Sequence, residues 1–187
     1  MDDIAVENAV RTMLSNLGED PDREGLKDTP KRVRKALAEM TEGYRELPAD
    51  ILSTTFEGGG YDQMVVVDNI KFYSMCEHHM LPFVGTAHVG YIPQSRVVGL
   101  SKIPRLVHCF SKRLQIQERL TTQIAETLSE TLEAQGVGVY IEANHMCVSC
   151  RGVKQQGSNM KTSCLLGVFK EQEVRSEFFA IVNSTQH

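Results

Sequence analysis

Two short groups of cysteine and histidine have the clearest chemical potential in this chain: residues 76–79, Cys-Glu-His-His, and residues 145–147, His-Met-Cys. A thiolate and an imidazole separated by two residues can both reach one ion, so Cys76 and His79 suit zinc. Cys147 would supply a third ligand from the second group. The pattern therefore predicts a metal site assembled from two distant chain segments.

Two histidines beside the predicted ligands are left over. The side chain of His78 should point away from that of its neighbour His79 and is therefore expected to face a substrate. His145 stands two residues before Cys147 on the same face of a predicted strand, so it should lie close to the ion without binding it. Two free imidazoles beside a Lewis acid favour a catalytic site.

A closed structural zinc site is the alternative. It would use four side chains: Cys76, His79, Cys147 and Cys150. On spacing alone, this Cys₃His tetrahedron is as plausible as the catalytic interpretation. The two surplus histidines favour catalysis, because a purely structural site has no use for further ionisable rings at its edge. His88 and His108 are interpreted as histidines without a role in the site.

A second constellation suits an anion such as polyphosphate. Ser101, Lys102 and Arg105 fall at a predicted helix N-terminus, where backbone N–H groups are free and the two cations share a helical face. Arg151 could join them. So could Arg32 and Lys35 on an earlier helix, if it comes from a neighbouring subunit. Taken singly, each cation is more often a solvated surface charge.

Glu118 is a candidate of another kind, since its carboxylate could accept hydrogen bonds from two N–H groups of a purine. A glutamate early in a helix is more often a surface residue that complements the helix dipole. By itself Glu118 would therefore prove nothing.

Composition limits the remaining possibilities. The chain has 187 residues and 20.9 kDa, with 41% apolar and 24% charged residues, which is typical of one globular domain and excludes disorder. A net charge of −4 gives no support for nucleic acid or an anionic membrane as partner. No apolar run could cross a bilayer and the first residues do not resemble a secretory signal, so a cytoplasmic location is expected. In that reducing compartment, the five cysteines are more often metal ligands or catalytic groups than disulfide partners.

Helical periodicity predicts two N-terminal helices, over residues 6–17 and from a cap at Thr29 to Gly43. Pro48 and the glycine triplet 58–60 then mark a linker. We therefore predict an N-terminal helical arm and linker over residues 1–60 and a catalytic domain over residues 61–187.

The catalytic domain is predicted to be α+β, with an antiparallel sheet and two helices packed on one face in the order ββααββ. Its segments are strands at 64–76 and 84–92, helices from Ser101 and up to Gly136, strands at 137–147 and 162–169, and a last helix. The metal-type residues then fall at strand ends.

These motifs together resemble the GTP cyclohydrolase I family, from about Arg32 to Phe179. The matching segments are Cys-Glu-His-His at 76–79, Gly-Leu-Ser-Lys-Ile-x-Arg at 99–105, Gln-Glu-Arg-Leu at 117–120, His-x-Cys at 145–147 and Arg-Gly at 151–152. The resemblance implies the tunnelling fold, in which sheets of several subunits join into a barrel. It also implies a torus-shaped homodecamer with active sites at subunit contacts.

The resemblance further implies zinc as cofactor, GTP as substrate and 7,8-dihydroneopterin triphosphate and formate as products. By position, the resemblance implies zinc ligands at Cys76, His79 and Cys147, with a fourth position left for water, and acid/base catalysis at His78 and His145. It implies triphosphate contacts at Ser101, Lys102, Arg105 and Arg151, with Arg32 and Lys35 as weaker candidates. It also implies contacts with guanine and ribose at Gln117 and Glu118.

Cys150 departs from the family pattern, which does not require cysteine there. This cysteine keeps two alternatives open. One is the closed zinc site, and the other is oxidation of its thiol together with that of Cys147. Two other functions also stay open: a zinc-stabilised binding module, and a pteridine-processing or deazapurine-processing enzyme on the same scaffold.

Overall fold

The structure is a computed structural model that describes residues 3–184, and its chain divides into two compact units between Glu42 and Gly43. The first unit contains helices α1 (Asp3–Asn16) and α2 (Thr29–Met40). Arg34 joins the two helices through Glu7, with an N–O distance of 2.8 Å. The predicted boundary at residue 60 lies further along the chain and stays a prediction.

Both predicted N-terminal helices are present, but the cap of the second differs from the prediction. Thr29 is the first residue of α2, and Asp28 takes the N-cap position without a side-chain cap bond. Pro30 lies in the first turn, where its missing N–H costs nothing.

The second unit carries the remaining secondary structure, and a 3₁₀ turn at Glu42–Arg45 spans the division. In chain order its elements are α3 (Pro48–Ile51), β1 (Thr55–Glu57), β2 (Val65–Cys76), β3 (Pro82–Ile92), β4 (Arg96–Val98), α4 (Lys102–Ser111), β5 (Leu114–Gln115), α5 (Gln117–Leu132), β6 (Gly136–His145), α6 (Met146–Ser149), β7 (Met160–Gly167), a 3₁₀ turn (Val168–Lys170) and α7 (Gln172–Ser184).

Five strands form the main sheet in the order β5-β2-β3-β6-β7. All neighbours are antiparallel except β5, which runs parallel to β2 over two residues. The α+β prediction and its ββααββ order are confirmed. The sequence did not predict the short strand β5, nor the separate pair formed by β1 and β4, because two or three residues are too few to show a period.

The core lies between one sheet face and helices α4 and α5, since alternate strand residues point to the same side. Phe83 and Val139 of the sheet and Leu106 and Ile124 of the helices are fully buried in one cluster. Helix α7 covers part of the opposite face, where Phe178 packs in a second cluster. The sheet is thus fixed from both sides near the strands that carry the site residues.

One strand prediction needs correction. The alternation over residues 137–147 predicts a strand that includes Cys147, but β6 ends at His145 and Cys147 lies in α6. The neighbouring strand β3 pairs His145 with Phe83 and begins one residue earlier, at Pro82, so no partner strand extends beyond this point.

Candidate metal and active site

Residues 77–81 connect β2 to β3 in a tight loop. The amide of Met80 donates to Cys76 O at 2.9 Å, and the amide of Cys76 donates to Leu81 O at 2.9 Å. Met80 takes a left-handed backbone conformation, with φ of 52°, which turns the chain back. As a result, Cys76 Sγ and His79 Nδ1 lie 3.7 Å apart.

Cys147 completes the cluster from α6. The ligand atoms of Cys76, His79 and Cys147 lie within 4.8 Å of one another, the one such group of three found among residues 3–184. In a tetrahedral zinc site, bonds of about 2.3 Å to sulfur and about 2.0 Å to nitrogen place those two atoms about 3.5 Å apart. The observed 3.7 Å between Cys76 Sγ and His79 Nδ1 fits that donor set.

Cys150 is exposed and is not a member of this cluster. It follows Cys147 by three residues, at the end of α6. The geometry therefore favours the site with three protein ligands over the closed tetrahedron.

The surroundings of Cys147 disfavour its charged form. Burial raises the pKa of the Cys147 thiol, the nearby Cys76 raises it further, and Arg151 opposes both effects. A metal ion that binds both sulfurs must therefore displace protons, and its affinity should increase with pH.

His145 lies at the end of β6, stacked on the ring of Phe83 with centroids 4.5 Å apart. Its Nε2 lies 2.8 Å from Gln117 Oε1. Burial lowers the pKa of His145, and the carboxylate of Glu118 opposes that shift. The first turn of α5 thus brings both Gln117 and Glu118 to this histidine.

The side chain of Gln117 is buried, and its hydrogen bonds settle its orientation. Its Nε2, with two N–H groups to donate, lies 3.1 Å from Ile141 O, 3.0 Å from Met160 O and 3.1 Å from Thr162 Oγ1. Its Oε1 therefore faces His145 as an acceptor, so His145 Nε2 carries the proton. Nδ1 is then the ring nitrogen available to accept a proton.

His78 is exposed, and its ring lies 6.3 Å from that of His79 at an angle of 80°. The two rings are therefore directed differently, as expected for adjacent residues.

The predicted phosphate-binding residues are mostly exposed. Ser101 occupies the N-cap position of α4 but makes no side-chain cap bond, and its αR backbone explains why. Lys102 and Arg105 lie in the first turn of that helix. Arg151 is exposed yet acts electrostatically on Cys147.

Arg32 and Lys35, the weaker candidates, are exposed on α2 in the first unit. Arg32 faces Asp28 across an N–O distance of 3.4 Å.

Sequence reasoning missed the ion pair between Glu77 and Arg119, which joins the β2–β3 loop to α5. The Arg119 guanidinium holds the pKa of the Glu77 carboxyl below its usual range. Both charged residues were visible in the sequence, but they are 42 positions apart, and nothing in the sequence indicated that they are in contact.

The described residues include no helix with the length and apolar character that a membrane crossing needs.

An antiparallel sheet backed by two helices, with a Cys-His-Cys cluster and a half-buried histidine at its strand ends, defines a metal-dependent enzyme of the tunnelling-fold class. The family model for GTP cyclohydrolase I matches residues 6–183 of the chain. This chain belongs to the GTP cyclohydrolase I family.

Named relatives are similar to this chain over nearly its full length. The chain is 54% identical over 181 residues to a GTP cyclohydrolase 1 of Campylobacter jejuni subsp. doylei, covering 96% of this chain and 95% of that protein. It is 51% identical over 175 residues to a GTP cyclohydrolase 1 of Coxiella burnetii, covering 92% and 95%. The family resemblance and the tunnelling fold predicted from the sequence are confirmed.

A solved structure is also similar in part. The crystal structure of the archaeosine synthase QueF-Like in its apo form covers 56% of this chain and 93% of its own, with 16% identity and a TM-score of 0.47.

Proposed function

We propose that this protein hydrolyses the imidazole ring of GTP at C8, releases that carbon as formate, and forms 7,8-dihydroneopterin triphosphate after ribose rearrangement and ring closure. This would be the first step of tetrahydrofolate or pterin biosynthesis. The observation that carries the proposal is the convergence of Cys76, His79 and Cys147 within 4.8 Å of one another, in a chain of the GTP cyclohydrolase I family.

Cys76, His79 and Cys147 would hold one zinc ion, since two thiolates and an imidazole are donors that zinc prefers. When bound there, zinc supplies a Lewis acid that makes hydroxide available near neutral pH. Cys150 stays outside the ligand set in this proposal.

His78 and His145 would move protons. His78 would protonate N7 of the purine and so make C8 more electrophilic, and its exposed ring is free to meet a substrate. His145 would transfer the proton that opens the ribose, and it would use Nδ1 because the hydrogen bond to Gln117 occupies Nε2. Gln117 would therefore act by orienting His145, while its own contact with substrate stays a prediction.

Polar and charged residues would hold the two ends of GTP. Ser101, Lys102 and Arg105 at the start of α4 would bind the triphosphate together with Arg151, and Glu118 would accept hydrogen bonds from the guanine N–H groups. Held at both ends, the opened ring cannot diffuse away before the new ring closes.

Arg32 and Lys35 would contribute from a neighbouring subunit, in a homodecamer whose sheets form a barrel and whose active sites lie at subunit contacts. Unpaired sheet edges support such an assembly, because they pair readily with another chain. We place the enzyme in the cytoplasm, where reduced cysteines and GTP are available.

Product analysis tests the activity. The full-length protein loaded with zinc is incubated with GTP, and formate and the fluorescence of the oxidised pterin are both measured. Equal amounts of formate and pterin are expected. Formate without pterin, or turnover of a pteridine or a deazapurine instead of GTP, would contradict the proposal.

His78 is tested by replacement. We expect His78→Ala to lower the rate of formate release about a hundredfold, the lower end of what a positioned acid or base contributes. Full ring opening by this variant would remove His78 from the mechanism.

A further inference from the structure

One arginine holds the β2–β3 loop, which carries His79 and directly follows Cys76, two of the three proposed metal ligands. Arg119, in the first turn of α5, donates through Nη2 to Oε2 of Glu77, the first residue of that loop. The same Nη2 also donates to Leu114 O at 3.1 Å, and Nε donates to Gln115 Oε1 at 3.0 Å. Three acceptors therefore fix the guanidinium in one orientation.

Gln115 is itself fixed. Its buried side chain donates through Nε2 to Phe110 O at 3.0 Å and to Gln123 Oε1 at 2.9 Å. Its carbonyl accepts the amide of Glu77 at 3.0 Å. Glu77 is thus anchored by its backbone to β5 and by its side chain to Arg119.

We propose that Arg119 is a positioning residue, which acts through Glu77 to keep Cys76 and His79 at metal-ligand spacing. This role rests on the proposed function, since it requires that Cys76, His79 and Cys147 bind a metal. Residues that orient ligands without touching the metal commonly affect its affinity, because ligand geometry must be held closely.

A contribution to overall stability does not explain the pair. The side chains of Arg119 and Glu77 are 40% and 33% exposed, and ion pairs this accessible to water stabilise a fold only weakly. The loop, in contrast, has five residues between two strands and depends on local contacts for its shape.

The position of Arg119 in α5 adds a second consequence. Gln117, two residues earlier in the same turn, accepts from His145 Nε2. One turn of helix therefore aligns the metal-ligand loop on one side and the proposed catalytic histidine on the other.

The test compares zinc affinity among full-length variants. Arg119→Gln and Glu77→Gln each remove the ion pair, and zinc dissociation constants are measured by competition with a chromogenic chelator. Both variants should bind zinc about tenfold more weakly or worse, the usual effect of losing a group that orients a ligand. Their thermal midpoints should stay near that of the wild type.

Arg113→Gln is the matched control. Arg113 lines the same 390 Å³ pocket as Arg119 and Glu77, and it donates to Cys109 O at 3.0 Å instead of to the loop. Its loss should lower stability and leave the zinc dissociation constant unchanged.

Two further readouts separate positioning from general damage. In the cobalt-loaded protein, the visible absorption bands should change in Arg119→Gln and not in Arg113→Gln. Arg119→Lys retains the charge but not the planar fork, so its zinc affinity should lie between those of the wild type and Arg119→Gln.

Wild-type zinc affinity in folded Arg119→Gln would overturn the positioning role, as would an equal loss in Arg113→Gln. If Arg119→Gln does not fold, Glu77→Gln decides by the same criterion. A wild-type protein that binds no zinc would overturn the proposed function itself, which distinguishes the two failures.

Discussion

At the scale of single residues, Cys147 and Cys150 form a natural comparison because they share chemistry and differ in place. Cys147 lies in the cluster with Cys76 and His79, whereas Cys150 is exposed outside it. We expect Cys147→Ser to lose most bound zinc and nearly all formate production, and Cys150→Ser to retain both. Metal content and formate release measure the outcome. A Cys150→Ser variant without zinc would restore the closed structural site.

His88 gives a prediction about pH. It is buried, and burial lowers its pKa below the ordinary 6.5, an effect that Lys71 increases and that Asp68 and Glu142 oppose. As the pH falls through 6.5, the unfolded chain takes up a proton before the folded chain does. The stability contributed by neutral His88 is therefore complete above that pH and is lost on acidification.

The geometry also predicts a loss of stability on acidification. His88 Nδ1 accepts a hydrogen bond from the backbone amide of Asn69 at 3.4 Å and could not do so once protonated. His88→Gln should thus weaken the fall in thermal midpoint between pH 7 and pH 5. The exposed His108, changed to Gln, serves as control and should leave that fall unaltered. Equal acid sensitivity in both variants would be the contrary result.

The meeting of Cys76 and His79 could be predicted from the sequence because its signal is local. Cys76 and His79 are separated by two residues and need only one tight loop to meet. The partners of His145 could not be predicted, because Gln117 approaches from another element and its burial depends on packing. The buried amide of Gln117 contacts His145, which no spacing in the sequence indicated, and its predicted contact with substrate stays a prediction.

At the scale of elements, the contact between β6 and the segment after β7 depends on the absence of a side chain at Gly138. A Cβ added there would lie 2.4 Å from the buried ring of Phe169. Gly138→Ala should therefore destabilise the fold by about 1–3 kcal/mol, the usual cost of overpacking. Thermal unfolding measures the effect.

Gly99→Ala is the control, because its added Cβ would meet no atom nearer than 3.6 Å. Its midpoint should stay near that of the wild type. If both variants unfolded at the same temperature, the tight packing on Phe169 would not limit stability.

Elements were predictable in proportion to their length. The helical spacing of Leu120, Ile124 and Leu128 indicated α5, and strand alternation indicated β6. The end of β6 was predicted wrongly because alternation in sequence continues into α6, while the partner strand stops. Pairing between strands, which decides where β6 ends, is not a property of its own sequence.

At the scale of the whole molecule, the sheet has open edges. Strand β7 is the last in the order, and the outer edge of β2 pairs with β5 only at Met75 and Cys76 in the described part of the chain. Such edges favour pairing between copies. We expect sedimentation to give a mass about ten times the 20.9 kDa of one chain. A fully active monomer would contradict the proposed assembly.

The most direct test of the account is formate release from GTP by the full-length protein before and after metal exchange. Chelation of the metal should abolish formate release, and one equivalent of zinc per chain should restore it in the wild type but not in Cys147→Ser. Undiminished formate release from metal-free protein would contradict the central claim that Cys76, His79 and Cys147 hold the ion on which ring opening depends.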